Sequence, residues 1–275
     1  MTMNDTQQLT RGALWFRALA GESTSKAPVW SGDAALGDET ARFVSVVPDP
    51  DNRFPRATDN VVGLEQGWLL GRAVRDAIAQ DANAAKKRPI VAIVDVKSQA
   101  YGYREEMLGV HLACAAGVDA YATARDAGHP VIALIVGPAM SGAFLAHGYQ
   151  ANRILALDAP GTLVHAMGKE AAARVTRRTV DELDKLGETI VPMSYSIASF
   201  AKLGLLDTLI GDVDADAPSG AHIERVRGIL ADSVRDARAD KSRGLSHRLE
   251  SETAHKTRAA SIEVRRRLAA QWDAA

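Results

Sequence analysis

Residues Pro130–Gly148 read PVIALIVGPAMSGAFLAHG. PVIALIVG is an apolar run of strand length, which predicts a strand covered on both faces. A Gly137-Pro138 turn is expected next, then a helix of very small residues beginning near Ser141-Gly142 and running over 141–150. The first N–H groups of a helix lack partners within it, and its aligned peptide dipoles make that end partly positive. Gly137, Ala139, Gly142 and Ala143 carry almost no side chain, so a ligand oxygen can reach the main chain itself. This arrangement suits a site that holds a developing oxyanion.

The same pattern appears on either side. PIVAIVDV (89–96) is a continuous apolar strand, followed by a loop, KSQAYGY (97–103), and a helix predicted over 104–127 that Gly128-His129-Pro130 stops. Further on, RILALD and TLVHAM read as strands around an APG turn, and GKEAAARVT starts a helix. That third unit has two strands per helix, which departs from a plain doubly wound sheet. Upstream, TRGALWFRALAG (10–21) predicts a short helix, residues 22–39 a turn-rich stretch and ARFVSVVP (41–48) a strand. A polar loop over 49–60 precedes a helix over 63–87 spaced on Leu64, Trp68, Gly71, Val74 and Ile78. Residues 194–213 predict a helix, a break at Gly204 and a short strand. From about 220 to 273 the pattern is helical and heavily charged, read as a solvated or partner-facing helix pair.

The 275 residues carry a net charge of −1, and acids are interspersed among the arginines of the C-terminal part. Neither nucleic acid nor a membrane surface is an expected partner. No apolar signal core stands at the N-terminus, no run spans a bilayer, and the single cysteine, Cys114, fits a reducing compartment. A cytoplasmic location is therefore expected. Metal-ligand spacings, G-x-G-x-x-G and phosphate-loop patterns are missing.

The strand–loop–helix pair, the ββα unit and the tail AKLGLLDTLI together resemble the crotonase superfamily, and more narrowly its carboxyltransferase branch. The stretch DVKSQAYGYREEM…GKEAAARVT (95–176) is similar to the gamma subunits of biotin-independent malonate decarboxylase. The resemblance implies an α/β fold, a crotonase-like ββα superhelix with a helical C-terminal extension. One domain over 1–275 is expected, with its core about 40–213 and C-terminal helices about 220–273. It also implies removal of CO2 from a malonyl group held as a thioester on an acyl-carrier protein. A beta subunit of related fold is the implied partner. The chain itself is expected to bind no cofactor, because the thioester prosthetic arm belongs to the carrier subunit.

Decarboxylation pushes electrons onto the thioester carbonyl as an enolate, which a fixed pair of N–H donors stabilises. The expected donors are backbone amides around Met140, Ser141, Gly142 and Ala143. Ser98, Gln99, Tyr101 and Tyr103, with Gly102 and Gly137 permitting close approach, are the expected substrate-binding positions beyond the strand ends. His165 is a site-wall histidine able to orient substrate or return a proton to C2, a role also open to a tyrosine. His147 reads as a packing or interface histidine, His111 and His129 as helix-surface and loop residues, and Gly128 and Gly204 as helix ends. Three other readings stay open. Ser141 in AMSGA resembles a nucleophile elbow but lacks G-x-S-x-G, the chain is a non-catalytic stabiliser of its partner, or it transfers a carboxyl group from another acyl thioester.

Overall fold

The structure, a computed structural model, describes residues 9–23 and 27–272. The first eight residues, which belong to the N-terminus read above, lie outside the described residues. Helix α1 (Arg11–Ala20) is capped by the Thr10 hydroxyl and closes at Gly21, as expected. Strands β1 (Val29–Leu36) and β2 (Glu39–Val46) pair antiparallel. β1 corrects the turn-rich reading of 22–39. Ser31, Gly32 and Asp33 are weak strand formers, but pairing with β2 overrides propensity.

Helix α2 (Leu64–Gln80) leads to strand β3 (Ile90–Val96). Trp68 points outward at 57% exposed while Leu70 takes the buried position. The helix predicted over 104–127 is two, α3 (Tyr103–Met107) and α4 (Val110–Asp126). They break at Gly109, whose φ of +83° a side chain would disfavour. Strand β4 (Val131–Met140) runs directly into helix α5 (Ser141–Ala146). Strands β5 (Arg153–Leu157) and β6 (Leu163–His165) follow, then helices α6 (Lys169–Thr176), α7 (Val180–Thr189) and α8 (Ile197–Lys202). Strand β7 (Thr208–Ile210) precedes helices α9 (Gly220–Ala239), α10 (Glu252–Thr257) and α11 (Ala259–Trp272). Gly128 and Gly204 end α4 and α8 in left-handed conformations, as expected.

The strands join in the order β1-β2-β3-β4-β5-β7, with β6 paired to β4 beside that path. All pairs except β1–β2 are parallel. Alternate residues of β3 serve two cores. Ile90, Ala92, Val94 and Val96 pack with Leu70, Val74 and Tyr121 of α2 and α4, while Val91 and Ile93 pack with Trp15, Phe16 and Leu230 of α1 and α9. This corrects the reading of the C-terminal charged region as solvated throughout. α9 buries Val226, Leu230, Val234 and Ala237, whereas α11 buries nothing among the described residues.

β4 does two jobs. Residues Ile132–Ile135 pair with β5, and Pro138–Met140 pair with β6. Between them the register against β3 slips, so that Val94 faces Ile135 but Val96 faces Ala139. The expected Gly137-Pro138 turn is therefore a bulge inside a continuing strand. The Asp95 carboxylate sits in it, accepting hydrogen bonds from Gly12 N–H at 2.9 Å and Asn60 Nδ2 at 2.9 Å. A methyl group on Gly137 would overlap that carboxylate. The bulge bends the end of β4 toward β6 and delivers Ser141 beyond the sheet.

Candidate functional site

Ser141 sits at the strand–helix junction with φ +59°, a left-handed backbone that costs a side-chain-bearing residue roughly 1–2 kcal/mol. α5 has only six residues, so few peptide dipoles align and the 141–150 helix is not formed. Positive character at this junction rests on individual amides. Gly142 N–H donates to Gln99 Oε1 at 3.0 Å. Gln99 is carried by a loop tied to Val62, whose N–H donates to Ser98 O at 3.0 Å and whose carbonyl accepts from Ala100 N–H at 2.9 Å.

Two cavities meet at Ser141. One of about 590 Å³ is lined by both polar and apolar side chains, among them Ser98, Gln99, Tyr101, Met167 and Arg174. An apolar one of about 430 Å³ is lined by Gly142, Phe144, Leu145, His165, Met193 and Phe200. Together they offer hydrogen-bonding groups on one side of Ser141 and apolar cover on the other.

His165 lies on the apolar cavity. Its ring stacks on Tyr195 with centroids 3.9 Å apart. Its Nδ1 lies 3.0 Å from Met167 O, which also accepts from Tyr195 Oη at 2.7 Å. Nδ1 also lies 3.2 Å from the Met167 N–H, so Met167 engages that ring nitrogen in either tautomer and Nε2 is left free, an acceptor when Nδ1 carries the proton and a donor when it does not. Burial holds the imidazole below its usual pKa, so the ring is neutral at neutral pH. That favours orientation or proton acceptance over donation by an imidazolium.

The structure brings together Ser98, Gln99, Tyr101, Ser141, Gly142 and His165 around these two cavities. It does not bring in all expected residues. Gly137 is buried against Asp95 and lines neither cavity, because the bulge uses its missing side chain for packing. Gly102 starts α3 and packs against Arg56 and Glu105. Met140 and Ala143 are buried, their side chains turned into the protein. Tyr103 is 84% exposed and apart from both cavities. His147 is fully buried, Nε2–H donating to Ile93 O and Nδ1 accepting from Tyr121 Oη, each at 2.9 Å, as a packing histidine should. His129, read as a loop residue, is buried with 2% exposure.

Arg174, Met167, Tyr195 and the apolar wall from Phe144 to Phe200 were not anticipated. Arg174 comes from α6, Phe200 from α8 and Tyr195 from the segment between α7 and α8, none of which carries a motif, while Met167 follows β6 and Phe144 lies in α5. Asp95 did leave a signal: a lone carboxylate inside the apolar run PIVAIVDV. Among the described residues no group of three or more His, Cys, Asp or Glu side chains is placed to hold a metal. No helix among them is long and apolar enough to cross a membrane.

This fold, with its junction beyond β4, is that of the crotonase-like carboxyltransferases. Two structures of transcarboxylase 12S share it at 18% identity, one with TM-score 0.60 over 86% of this chain and 43% of that one. The chain belongs to the malonate decarboxylase gamma subunit family, whose model matches residues 57–272. It is similar to a chain of a Pseudomonas malonate decarboxylase hetero-tetramer in complex with coenzyme A, at 51% identity and TM-score 0.90, covering 96% of this chain and 100% of that one. A chain of the Pseudomonas MdcD-MdcE hetero-dimer matches at 50% identity and TM-score 0.87, with the same coverage. The malonyl-S-ACP:biotin-protein carboxyltransferase MADD of Malonomonas rubra is 35% identical over 187 residues, 66% of this chain and 64% of that protein's length.

Proposed function

We propose that this chain is the gamma half of a malonyl-thioester decarboxylase, a carbon–carbon lyase assembled from several subunits. The substrate is a malonyl group on an acyl-carrier protein, whose prosthetic arm supplies the thioester. The partner is a beta subunit of related fold, in keeping with the hetero-dimer and hetero-tetramer of the Pseudomonas relatives. The complex works in the cytoplasm.

The carbon–carbon bond between C2 and the carboxylate breaks, CO2 leaves, and the electron pair moves onto the thioester oxygen as an enolate. The Gly142 amide, with its neighbours at Ser141 and Ala143, holds that oxygen once it displaces Gln99 Oε1. The carboxylate leaves as neutral CO2 and its charge passes to the thioester oxygen, so the apolar cavity favours the step by withholding solvation from the ground-state carboxylate. A proton then returns to C2 and the acetyl thioester is released, with His165 orienting the carbonyl through Nε2–H, the tautomer in which Nδ1 accepts from the Met167 N–H. The observation that supports this reading is the Ser141–Gly142 junction where two cavities meet, its Gly142 amide held only by the Gln99 side chain.

The test is CO2 release from malonyl-carrier protein by this chain assembled with its beta partner, without biotin. Release that Gly142→Val abolishes supports the reading, whereas turnover at the wild-type rate in that variant would refute the site. The name of the Malonomonas rubra relative supports a second reading, carboxyl transfer to a biotin protein. In that case CO2 release would be absent and acetyl thioester would appear only when biotinylated acceptor is added.

A further inference from the structure

The Met167 peptide offers His165 two opposite contacts. Its N–H lies 3.2 Å from Nδ1, and its carbonyl oxygen lies 3.0 Å from the same nitrogen. Nδ1 can answer only one of them. With the proton on Nδ1, the ring donates to the carbonyl and two N–H groups face each other. With the proton on Nε2, Nδ1 accepts from the Met167 N–H and its lone pair faces the carbonyl oxygen. Each tautomer carries one favourable and one unfavourable contact, so a further group decides between them.

That group is Tyr195. Its hydroxyl donates to the Met167 carbonyl at 2.7 Å, shorter than either contact to Nδ1. With one strong donor already on it, the oxygen gains less from a second donor and repels a facing lone pair less. The Met167 N–H still needs an acceptor, and Nδ1 is the one within reach. Tyr195 is held firmly for this task. It is 7% exposed, its carbonyl accepts from the Val164 N–H at 3.1 Å, and Ser196 pairs with Leu163 of β6. Its ring lies nearly parallel to the imidazole, at 14°, which fixes the imidazole plane. Both Met167 contacts use Nδ1, so Nε2 is free, and the ring lines the apolar cavity that Gly142 also lines.

We infer that Tyr195 is a positioning residue: through the Met167 carbonyl it holds His165 in the Nε2–H tautomer, so that the ring presents an N–H donor to the cavity it shares with Gly142. The use of that donor rests on the decarboxylase reading above, in which it joins the Gly142 amide on the thioester oxygen. The tautomer itself does not rest on that reading.

Nitrogen NMR of histidine-labelled full chain at neutral pH, without substrate, reads the tautomer directly, and His165→Gln assigns the signals by removing them. The wild type is expected to show a protonated Nε2 and a bare Nδ1. Tyr195→Phe keeps the stacked ring and removes the hydroxyl, so the proton should move to Nδ1 in most molecules. In the enzyme assembled with its beta partner, Tyr195→Phe should lower kcat for malonyl-carrier protein about tenfold with KM nearly unchanged, the scale of one net hydrogen bond. In a His165→Gln background, whose side-chain amide also donates, the same change should cost about twofold or less. A tyrosine with a merely structural role would lower both backgrounds alike, and that outcome overturns the positioning role. A proton on Nδ1 in the wild type, or one that stays on Nε2 in Tyr195→Phe, overturns the tautomer assignment. The wild-type spectrum gives that result even where Tyr195→Phe does not fold. The expected spectra beside an assembled wild-type enzyme that releases no CO2 would refute the decarboxylase reading and uphold the tautomer assignment.

Discussion

The Gln99 side-chain oxygen accepts from the amide of Gly142 at 3.0 Å, the amide proposed above to hold the enolate oxygen. On the proposed mechanism, a neutral acceptor already rests where negative charge develops. The amide is thus oriented before substrate arrives, and its exchange of one oxygen for another costs little reorganisation. Gln99→Glu places a fixed negative charge on the same amide. It should lower kcat/KM for malonyl-thioester decarboxylation about a hundredfold, the scale of one lost oxyanion donor. Steady-state rates of the assembled enzyme check this, with Gln99→Ala as the control that removes the occupant without adding charge.

Bulk near the junction separates site from fold. A Cβ on Gly142 would lie 3.3 Å from Gln99 Oε1, tight but movable. Gly142→Val should therefore cut turnover on the order of a hundred- to a thousandfold while leaving the melting temperature nearly unchanged. Ala143→Leu differs, because Ala143 has 0% exposure and overpacking there costs typically 1–3 kcal/mol. Calorimetry beside kinetics on the two variants reveals the contrast.

Ser141 decides between enolate chemistry and a serine nucleophile. If amides do the work, Ser141→Ala keeps most decarboxylation. Ser141→Gly should raise stability by about 1 kcal/mol at most, since glycine relieves the +59° φ but loosens the unfolded chain. Covalent labelling of Ser141 by a fluorophosphonate, with activity lost in Ser141→Ala, would instead establish the hydrolase reading.

His147 links stability to pH. Its burial lowers its pKa from 6.5 to about 4. Between those values the unfolded ring binds a proton that the folded ring refuses, so stability falls as pH drops through this window. The contribution fully present above the unfolded value amounts to about 3 kcal/mol. Urea unfolding at a series of pH values from neutral to about 4 should show this loss, and a His147→Gln variant should show a shallower slope.

The Asp95 bulge sets where Ser141 lies. Gly137→Ala forces a methyl into the Asp95 carboxylate and should destabilise by roughly 2 kcal/mol or more. Asp95→Ala strands the Gly12 amide and removes one of the two acceptors of Asn60 Nδ2, which keeps the residue-95 carbonyl, for a loss of about 1–3 kcal/mol. Denaturant melts of both variants provide the measurement.

The long apolar strands 89–96 and 131–136, the helices between them and the small-residue junction at Ser141-Gly142 were readable because each follows from local composition. The resemblance carried by 95–176 supplied the family, which the match over 57–272 bears out. Strand β1 was not readable, because its Ser-Gly-Asp centre becomes a strand only through β2. Nor was the fate of Gly137, whose absent side chain serves Asp95 rather than a ligand.

From the chain alone came the alternation of strand and helix, the bare backbone after β4 and the neighbourhood of Gln99 in the loop after β3. Those depend on residues close together in sequence. Only the folded molecule decided that β4 bends at an Asp95-filled bulge, that Gln99 seats on Gly142, and that Arg174 and Phe200 wall the space around Ser141. Each of these joins residues distant in the chain, and such contacts are set by packing and by the pairing of buried polar groups, which no local pattern encodes.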